Sequence, residues 1–244
     1  MDDDRRPAFY ALSSGGWRDY WTLVHPPYTA WHLGYVAIGA SVATVLHPRW
    51  LVETLVAFLL GMGFAAHALD ELRGRPLRTR ISDATLWAIA VIGLAGAIAL
   101  GIDAAVEVSP WVAAFVVVGT FLVVAYNLEL FGGRFHSDLW FALAWGAFPA
   151  LTAAFAQTGR VGVPAIAAAA GCAALSAAQR ALSTPVRWLR RSVRAVRGEV
   201  ALVDGSVRAV DATLLRAAPE SALRWMSLSV PLVAIAFVLA RWPR

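Results

Sequence analysis

Apolar runs of about 18 residues or more recur along the chain and constrain its fold more than any other feature. One of them extends from Leu51 to Leu69. The 244 residues are 59% hydrophobic and only 15% charged, and the mean hydropathy of +0.62 is far above that of ordinary soluble domains. We therefore predict an all-α protein, a polytopic bundle of transmembrane helices that forms a single domain over residues 1–244.

Prolines and capping residues divide the apolar runs into about seven predicted spans, with Pro26-Pro27 after His25 at the start of the first and Ser82 as the N-cap of the third. They cover approximately residues 28–46, 50–70, 82–102, 110–126, 139–155, 161–182 and 226–240. Residues 184–224, between the last two spans, are predicted to be a cytoplasmic amphipathic segment. It begins with a basic helix over 184–197, where arginines alternate with apolar residues at helical spacing, and we expect that helix to lie on an anionic leaflet. Residues 200–210 are either a hairpin around Asp204-Gly205 or a surface loop.

The distribution of arginine predicts the orientation of the chain. All 21 basic residues are arginine, and they cluster in alternate loops, which places the N-terminus in the cytoplasm and the C-terminus outside. We expect an integral protein of a prokaryotic plasma membrane and attribute the absence of lysine to GC-rich codons. The net charge of +5 belongs to loops, so no nucleic-acid partner is expected. The single cysteine, Cys172, excludes an intrachain disulfide and a cysteine-based metal site.

Ionisable residues follow the second predicted span in the stretch 67–80. His67 and Glu71 are four residues apart and share one face of a helix, with Asp70 beside them. Such groups are costly at membrane depth and therefore indicate function. The alternative is an ordinary helix end at the cytoplasmic surface. A basic boundary accounts for the arginines of this stretch but not for its acids and histidine.

A second polar stretch, residues 126–138, follows the fourth span and is predicted to face the cytoplasm as well. Its candidate ligands and binding groups are Tyr126, Asn127, Glu129, Arg134, His136 and Asp138. Two helix ends on the same side of the membrane can share one polar cavity. The alternative is that the acids are exposed loop charges and the histidine an interfacial residue. His32, in the first span, could face the same cavity, but it is expected to be a packed histidine bonded to a neighbouring helix.

Three stretches, 19–27, 67–82 and more loosely 126–149, resemble the UbiA-type intramembrane prenyltransferases. The resemblance implies a helical bundle with two acidic motifs on the cytoplasmic side. In that family the acids bind Mg²⁺, which holds the diphosphate of a polyprenyl donor, and basic residues take the remaining charge. Ionisation of the allylic diphosphate then leaves a carbocation for a lipid-soluble acceptor to attack. The function implied is Mg²⁺-dependent transfer of an isoprenoid from a polyprenyl diphosphate.

The resemblance also implies roles for particular residues. It makes His67, Asp70 and Glu71 catalytic. The implied Mg²⁺ ligands are Asp70, Glu71, Glu129, His136 and Asp138, and the implied substrate-binding residues are Arg78, Arg80, Arg134, Tyr126 and Asn127. The family's first motif has Asn and two Asp at four-residue spacings, whereas this chain has His67, Glu71 and Arg75 in those places.

Two other hypotheses remain open on the sequence. In the first, His67, Glu71, Glu129 and His136 bind Zn²⁺ or Fe²⁺ in an intramembrane metalloenzyme that hydrolyses or oxidises a lipid. Histidine ligands suit a transition metal better than magnesium. In the second, the chain is a non-catalytic membrane protein for binding or assembly, and its basic helix at 184–197 docks a partner or the membrane.

Overall fold

The chain folds into a helical bundle with one small exposed hairpin. The structure is a computed structural model that describes residues 6–242, and 73% of the chain is helical. The helices are α1 Trp17–Val24, α2 Pro26–Ser41, α3 Pro48–Leu72, α4 Asp83–Glu107, α5 Val112–Asn127, α6 Asp138–Thr158, α7 Val163–Arg191 and α8 Ala212–Arg241. Strands β1 Gly198–Ala201 and β2 Val207–Val210 form the antiparallel hairpin. The predicted all-α bundle is confirmed.

Five helices in the described part of the chain, α3, α4, α6, α7 and α8, are long and apolar enough to cross a membrane. Helix α5 is apolar but shorter. These helices identify an integral membrane protein, whereas the predicted count of seven spans is not confirmed. The last predicted span, 226–240, is only part of α8, which begins at Ala212 and is 30 residues long.

Helix α2, the first predicted span, lies at the centre of the bundle. It is 16 residues long and packs against α6 and α8, with Trp31 and Tyr35 fully buried. Small residues permit this close packing, because a Cβ atom on Gly39 would lie 2.1 Å from the carbonyl oxygen of Ala150 in α6. Most of the apolar surface of α2, the first predicted span, is therefore covered by other helices.

Two of the long helices contain a wider, π-helical segment. It covers Leu59–Ala66 in α3 and Leu143–Ala147 in α6. Gly146, within the second segment, contacts α7 so closely that a Cβ atom there would lie 2.6 Å from the carbonyl oxygen of Cys172. π-Helical turns are frequent at functional sites, and both segments here lead into the site described below.

The prediction of a separate basic surface helix over 184–197 is wrong. Helix α7 continues through Pro185 to Arg191, and residues after Ser192 are not helical. Hydroxyl groups beside the proline bond to backbone, as Thr184 Oγ1 donates to the Arg180 carbonyl oxygen at 2.8 Å. The arginines therefore extend a membrane-spanning helix, and part of their face is turned into the bundle. Of the two alternatives for 200–210, the structure has the hairpin.

Candidate functional site

A polar chamber of about 350 Å³ lies at one end of the bundle. Helices α3, α5 and α7 end at this chamber, while α2 and α6 begin there, and residues 7–10 line it as well. The two polar stretches singled out in the sequence meet in it. Six predicted site residues line the chamber: His67, Asp70, Tyr126, Asn127, Glu129 and His136.

Glu71, the neighbour of Asp70, points away from the chamber. Its carboxylate is fully buried and accepts hydrogen bonds from the backbone N–H groups of Leu77 and Thr79, both at 2.9 Å, and from Thr79 Oγ1 at 2.8 Å. These bonds hold the 73–82 loop against the end of α3. The carboxylate that the resemblance makes a metal ligand thus has its oxygens occupied by this loop.

The other predicted residues lie outside the chamber. Asp138 is exposed and pairs with Arg180 at 2.9 Å. The side chains of Arg78, Arg80 and Arg134 are exposed and do not line the cavity. The sequence thus predicted the meeting of the two stretches but not which arginines face the chamber.

Four arginines line the chamber: Arg73, Arg180, Arg187 and Arg191. The last three occupy one face of α7, since they are separated by seven and four residues. That spacing is visible in the sequence and could have identified them. The only carboxylates that line the chamber within residues 6–242 are Asp70 and Glu129, so the four arginines leave it with a formal charge of +2.

The arginines differ in how far their charge is already compensated. Arg73 pairs with Glu129 at 2.8 Å, and this ion pair lowers the pKa of the Glu129 carboxyl. Arg187 instead donates to Ser183 Oγ at 3.1 Å, and Arg191 donates to the Pro7 carbonyl oxygen at 3.3 Å. In the described part of the chain, neither has a carboxylate partner. Two cationic groups are therefore available to bind an anion.

Histidine rings form another part of the wall. The His25 and His67 rings stack with centroids 4.1 Å apart, and His67 Nδ1 donates to the Gly63 carbonyl oxygen at 3.0 Å. His25 lies between α1 and α2, where burial, followed by the nearby His67 and arginines, lowers its pKa well below the usual value. His136 stacks on Tyr126 at 4.4 Å and donates to the Tyr126 carbonyl oxygen at 3.1 Å. These contacts fix the orientation of the rings.

An apolar cleft of about 110 Å³ adjoins the chamber between helices α3, α4, α5 and α6. Its wall is almost entirely hydrophobic and includes Phe58, Leu94 and Phe115. Met62 and Trp145 line both cavities. The polar chamber and the apolar cleft therefore meet at these two side chains.

No family model, curated protein or solved structure matches this chain. What the site can hold follows from its own side chains. Among residues 6–242, no group of three His, Cys, Asp or Glu side chains is placed to hold a metal. A protein-ligated Zn²⁺ or Fe²⁺ centre needs at least that many ligands, so the described residues do not fit such a centre.

Asp70 differs from the other acids of the two stretches. It lines the chamber, and its carboxylate makes no hydrogen bond or ion pair within the described residues. Mg²⁺ is commonly held by one or two carboxylates together with substrate phosphates and water. Asp70 therefore fits a magnesium ion that binds together with a diphosphate.

Proposed function

We propose that this protein binds a polyprenyl diphosphate, with the diphosphate in the chamber and the chain in the cleft, and transfers the isoprenoid to an acceptor. The observation that carries the proposal is the junction at Met62 and Trp145, where a cationic cavity meets an apolar one. Only an amphiphile with an anionic head and a long apolar tail is complementary to both. The resemblance to UbiA-type prenyltransferases leads to the same class of substrate.

The diphosphate is held mainly by arginine in this proposal. Arg187 and Arg191 lie one helical turn apart on α7 and have no carboxylate partner in the described residues. Arginine binds phosphate oxygens with two parallel hydrogen bonds, which are stronger than those between neutral groups. Asp70 would hold Mg²⁺, whose charge would further stabilise the leaving diphosphate.

The transfer requires the bond between C1 of the isoprenoid and the diphosphate oxygen to break, and the electron pair leaves on the diphosphate. A bond then forms between C1 and the acceptor, which loses a proton. The arginine side chains stabilise the negative charge that develops on the leaving group. The apolar cleft keeps water away from the cationic carbon, because its wall offers few groups that could hold a water molecule.

The experiment is calorimetric binding to detergent-solubilised protein with three probes: geranylgeranyl diphosphate, inorganic diphosphate and geranylgeraniol. We expect the first to bind most tightly and to bind more tightly with Mg²⁺, because it fills both cavities. Arg187→Gln should weaken this binding about tenfold to hundredfold, the effect of losing one or two charge-assisted hydrogen bonds.

Arg78→Gln is the matched control, since Arg78 is exposed and outside the chamber. It should leave the affinity unchanged. Equal effects of the two substitutions, or no binding of geranylgeranyl diphosphate under either condition, would overturn the proposal. Transfer itself is tested by diphosphate release from bound substrate when candidate acceptors are added.

A further inference from the structure

His32 is a buried histidine of the first predicted span. It lies in α2, is 5% exposed and lines the chamber. Neither ring nitrogen has a hydrogen-bonding partner within residues 6–242, and the ring touches the aromatic rings of Tyr35 and Phe141 edge to face. Gln179 of the neighbouring helix α7 interacts with His32, but without the geometry of a normal hydrogen bond. An unpaired buried polar group is destabilising, so each such group requires an explanation.

Two more side chains on the same wall are in the same situation. Gln179 of α7 lies beside His32 and is 2% exposed, and Tyr126 of α5 is 4% exposed. The Gln179 Oε1 and Tyr126 Oη atoms are buried and accept or donate no hydrogen bond in the described part of the chain. Three residues on three helices thus bring polar atoms without a normal hydrogen bond to the wall of one chamber.

The three side chains of this wall carry no formal charge. Its unpaired atoms belong to an imidazole, an amide and a phenol, which together offer both donors and acceptors. The Tyr126 ring also contacts Phe141 and Trp145, with centroids 6.3 Å and 5.5 Å away. A hydroxyl group can donate to one of these atoms and accept from another, whereas a diphosphate would find no cation among the three side chains.

We infer that His32, Gln179 and Tyr126 form a second binding subsite, for a neutral hydroxyl-bearing molecule. If the protein has the proposed function, that molecule is the acceptor. Only this identification of the molecule rests on the proposed function. Trp145 links this wall to the junction of chamber and cleft. An acceptor held here would lie next to the end of the isoprenoid chain that carries the diphosphate.

Three probes of similar size test the hydroxyl group directly: 4-hexylphenol, 1-decanol and hexylbenzene, which has no hydroxyl. Binding is measured by calorimetry on the protein in detergent. We expect saturable binding of one or both hydroxyl probes and much weaker binding of hexylbenzene. The two hydroxyl probes distinguish an aromatic from an aliphatic acceptor.

Tyr126→Phe is the decisive variant, and Tyr35→Phe is its control. Removal of the unpaired Tyr126 hydroxyl should lower the affinity for the hydroxyl probes about threefold to tenfold. It should leave the melting temperature unchanged or raise it. Tyr35 Oη accepts from Trp31 Nε1 at 2.5 Å and from Ser176 Oγ at 3.4 Å. Tyr35→Phe should therefore lower the melting temperature without changing probe affinity.

Geranylgeranyl diphosphate binding, measured in the same preparations, separates the two proposals. Tyr126→Phe should not change it. If the diphosphate binds but hydroxyl probes bind no better than hexylbenzene, the subsite is refuted and the proposed function stands. Equal probe affinity in wild type and Tyr126→Phe, or a lower melting temperature in Tyr126→Phe, would also refute the subsite. If hydroxyl probes bind as expected and the diphosphate does not, the subsite stands without its role in prenyl transfer.

Discussion

Asp70 and Glu71 are adjacent acids with different surroundings in the structure. Substitution of each by its isosteric amide should therefore have a different effect on stability and on ligand binding. The Glu71 carboxylate accepts three hydrogen bonds from Leu77 and Thr79 in the loop after α3. The Asp70 carboxylate lines the chamber and makes no such bond in the described residues. We predict that Glu71→Gln lowers stability and spares ligand binding, whereas Asp70→Asn does the reverse.

The magnitude follows from the hydrogen bonds that each substitution removes. A glutamine at position 71 can direct its oxygen to the two Thr79 donors, but its NH₂ group then faces the Leu77 N–H. One buried N–H is left unpaired, which costs about 1–3 kcal/mol. At roughly 2–4 °C per kcal/mol for a chain of this size, a loss of about 2 kcal/mol lowers the melting temperature by about 4–8 °C. Asp70→Asn removes no hydrogen bond and should change it by less than about 2 °C.

The assay combines thermal unfolding in detergent with calorimetric binding of geranylgeranyl diphosphate, both with and without Mg²⁺. Asp70→Asn should abolish the Mg²⁺-dependent part of the affinity. Glu71→Gln, measured well below its melting temperature, should retain it. A Glu71→Gln protein as stable as wild type that has lost Mg²⁺-dependent binding would refute this reasoning, since Glu71 would then act on the metal directly.

Three further predictions concern packing, a buried ion pair and pH. Gly39→Ala should destabilise the bundle by about 1–3 kcal/mol in thermal unfolding, because the added Cβ would overlap the α6 backbone, whereas Gly171→Ala, with open space around it, should not. Glu220→Gln should cost about 1–3 kcal/mol in the same assay, because it removes the charged partner of the 2.5 Å pair while Arg190 keeps its bond to the Arg6 carbonyl oxygen. No measurable loss would contradict a structural role for that pair. Because the pKa of His25 is lowered in the folded protein, the unfolded chain binds a proton at this residue more readily. The stability that neutral His25 contributes is therefore present above about pH 6.5 and declines on acidification. Between about pH 7.5 and 5.5 the melting temperature should fall less steeply for His25→Gln than for wild type.

Local chemistry determined much of the bundle. The proline pair after His25 predicted a helix start, and α2 begins at Pro26. Ser82 was predicted to cap the third span, and its side chain accepts a hydrogen bond from the Thr85 N–H at the start of α4. Because successive helices run in alternate directions, residues at the ends of the second and fourth spans were bound to lie at the same end of the bundle. The sequence was therefore sufficient to place His67 and His136 at one end of the bundle, where they can share a cavity.

Tertiary packing decided which side chains face that cavity. Helical periodicity indicates which residues share a face but not what that face contacts. The different surroundings of Asp70 and Glu71 therefore follow only from the tertiary structure, in which the loop to Thr79 folds back onto Glu71. The same holds for α7, where two of the arginines predicted to lie on a membrane surface, Arg187 and Arg191, face the chamber instead. Burial of α2 within the bundle likewise depends on contacts distant in sequence. Sequence patterns predicted most of the helices and some of their ends, such as the starts of α2 and α4, whereas the partner that each helical face meets is a property of the whole fold.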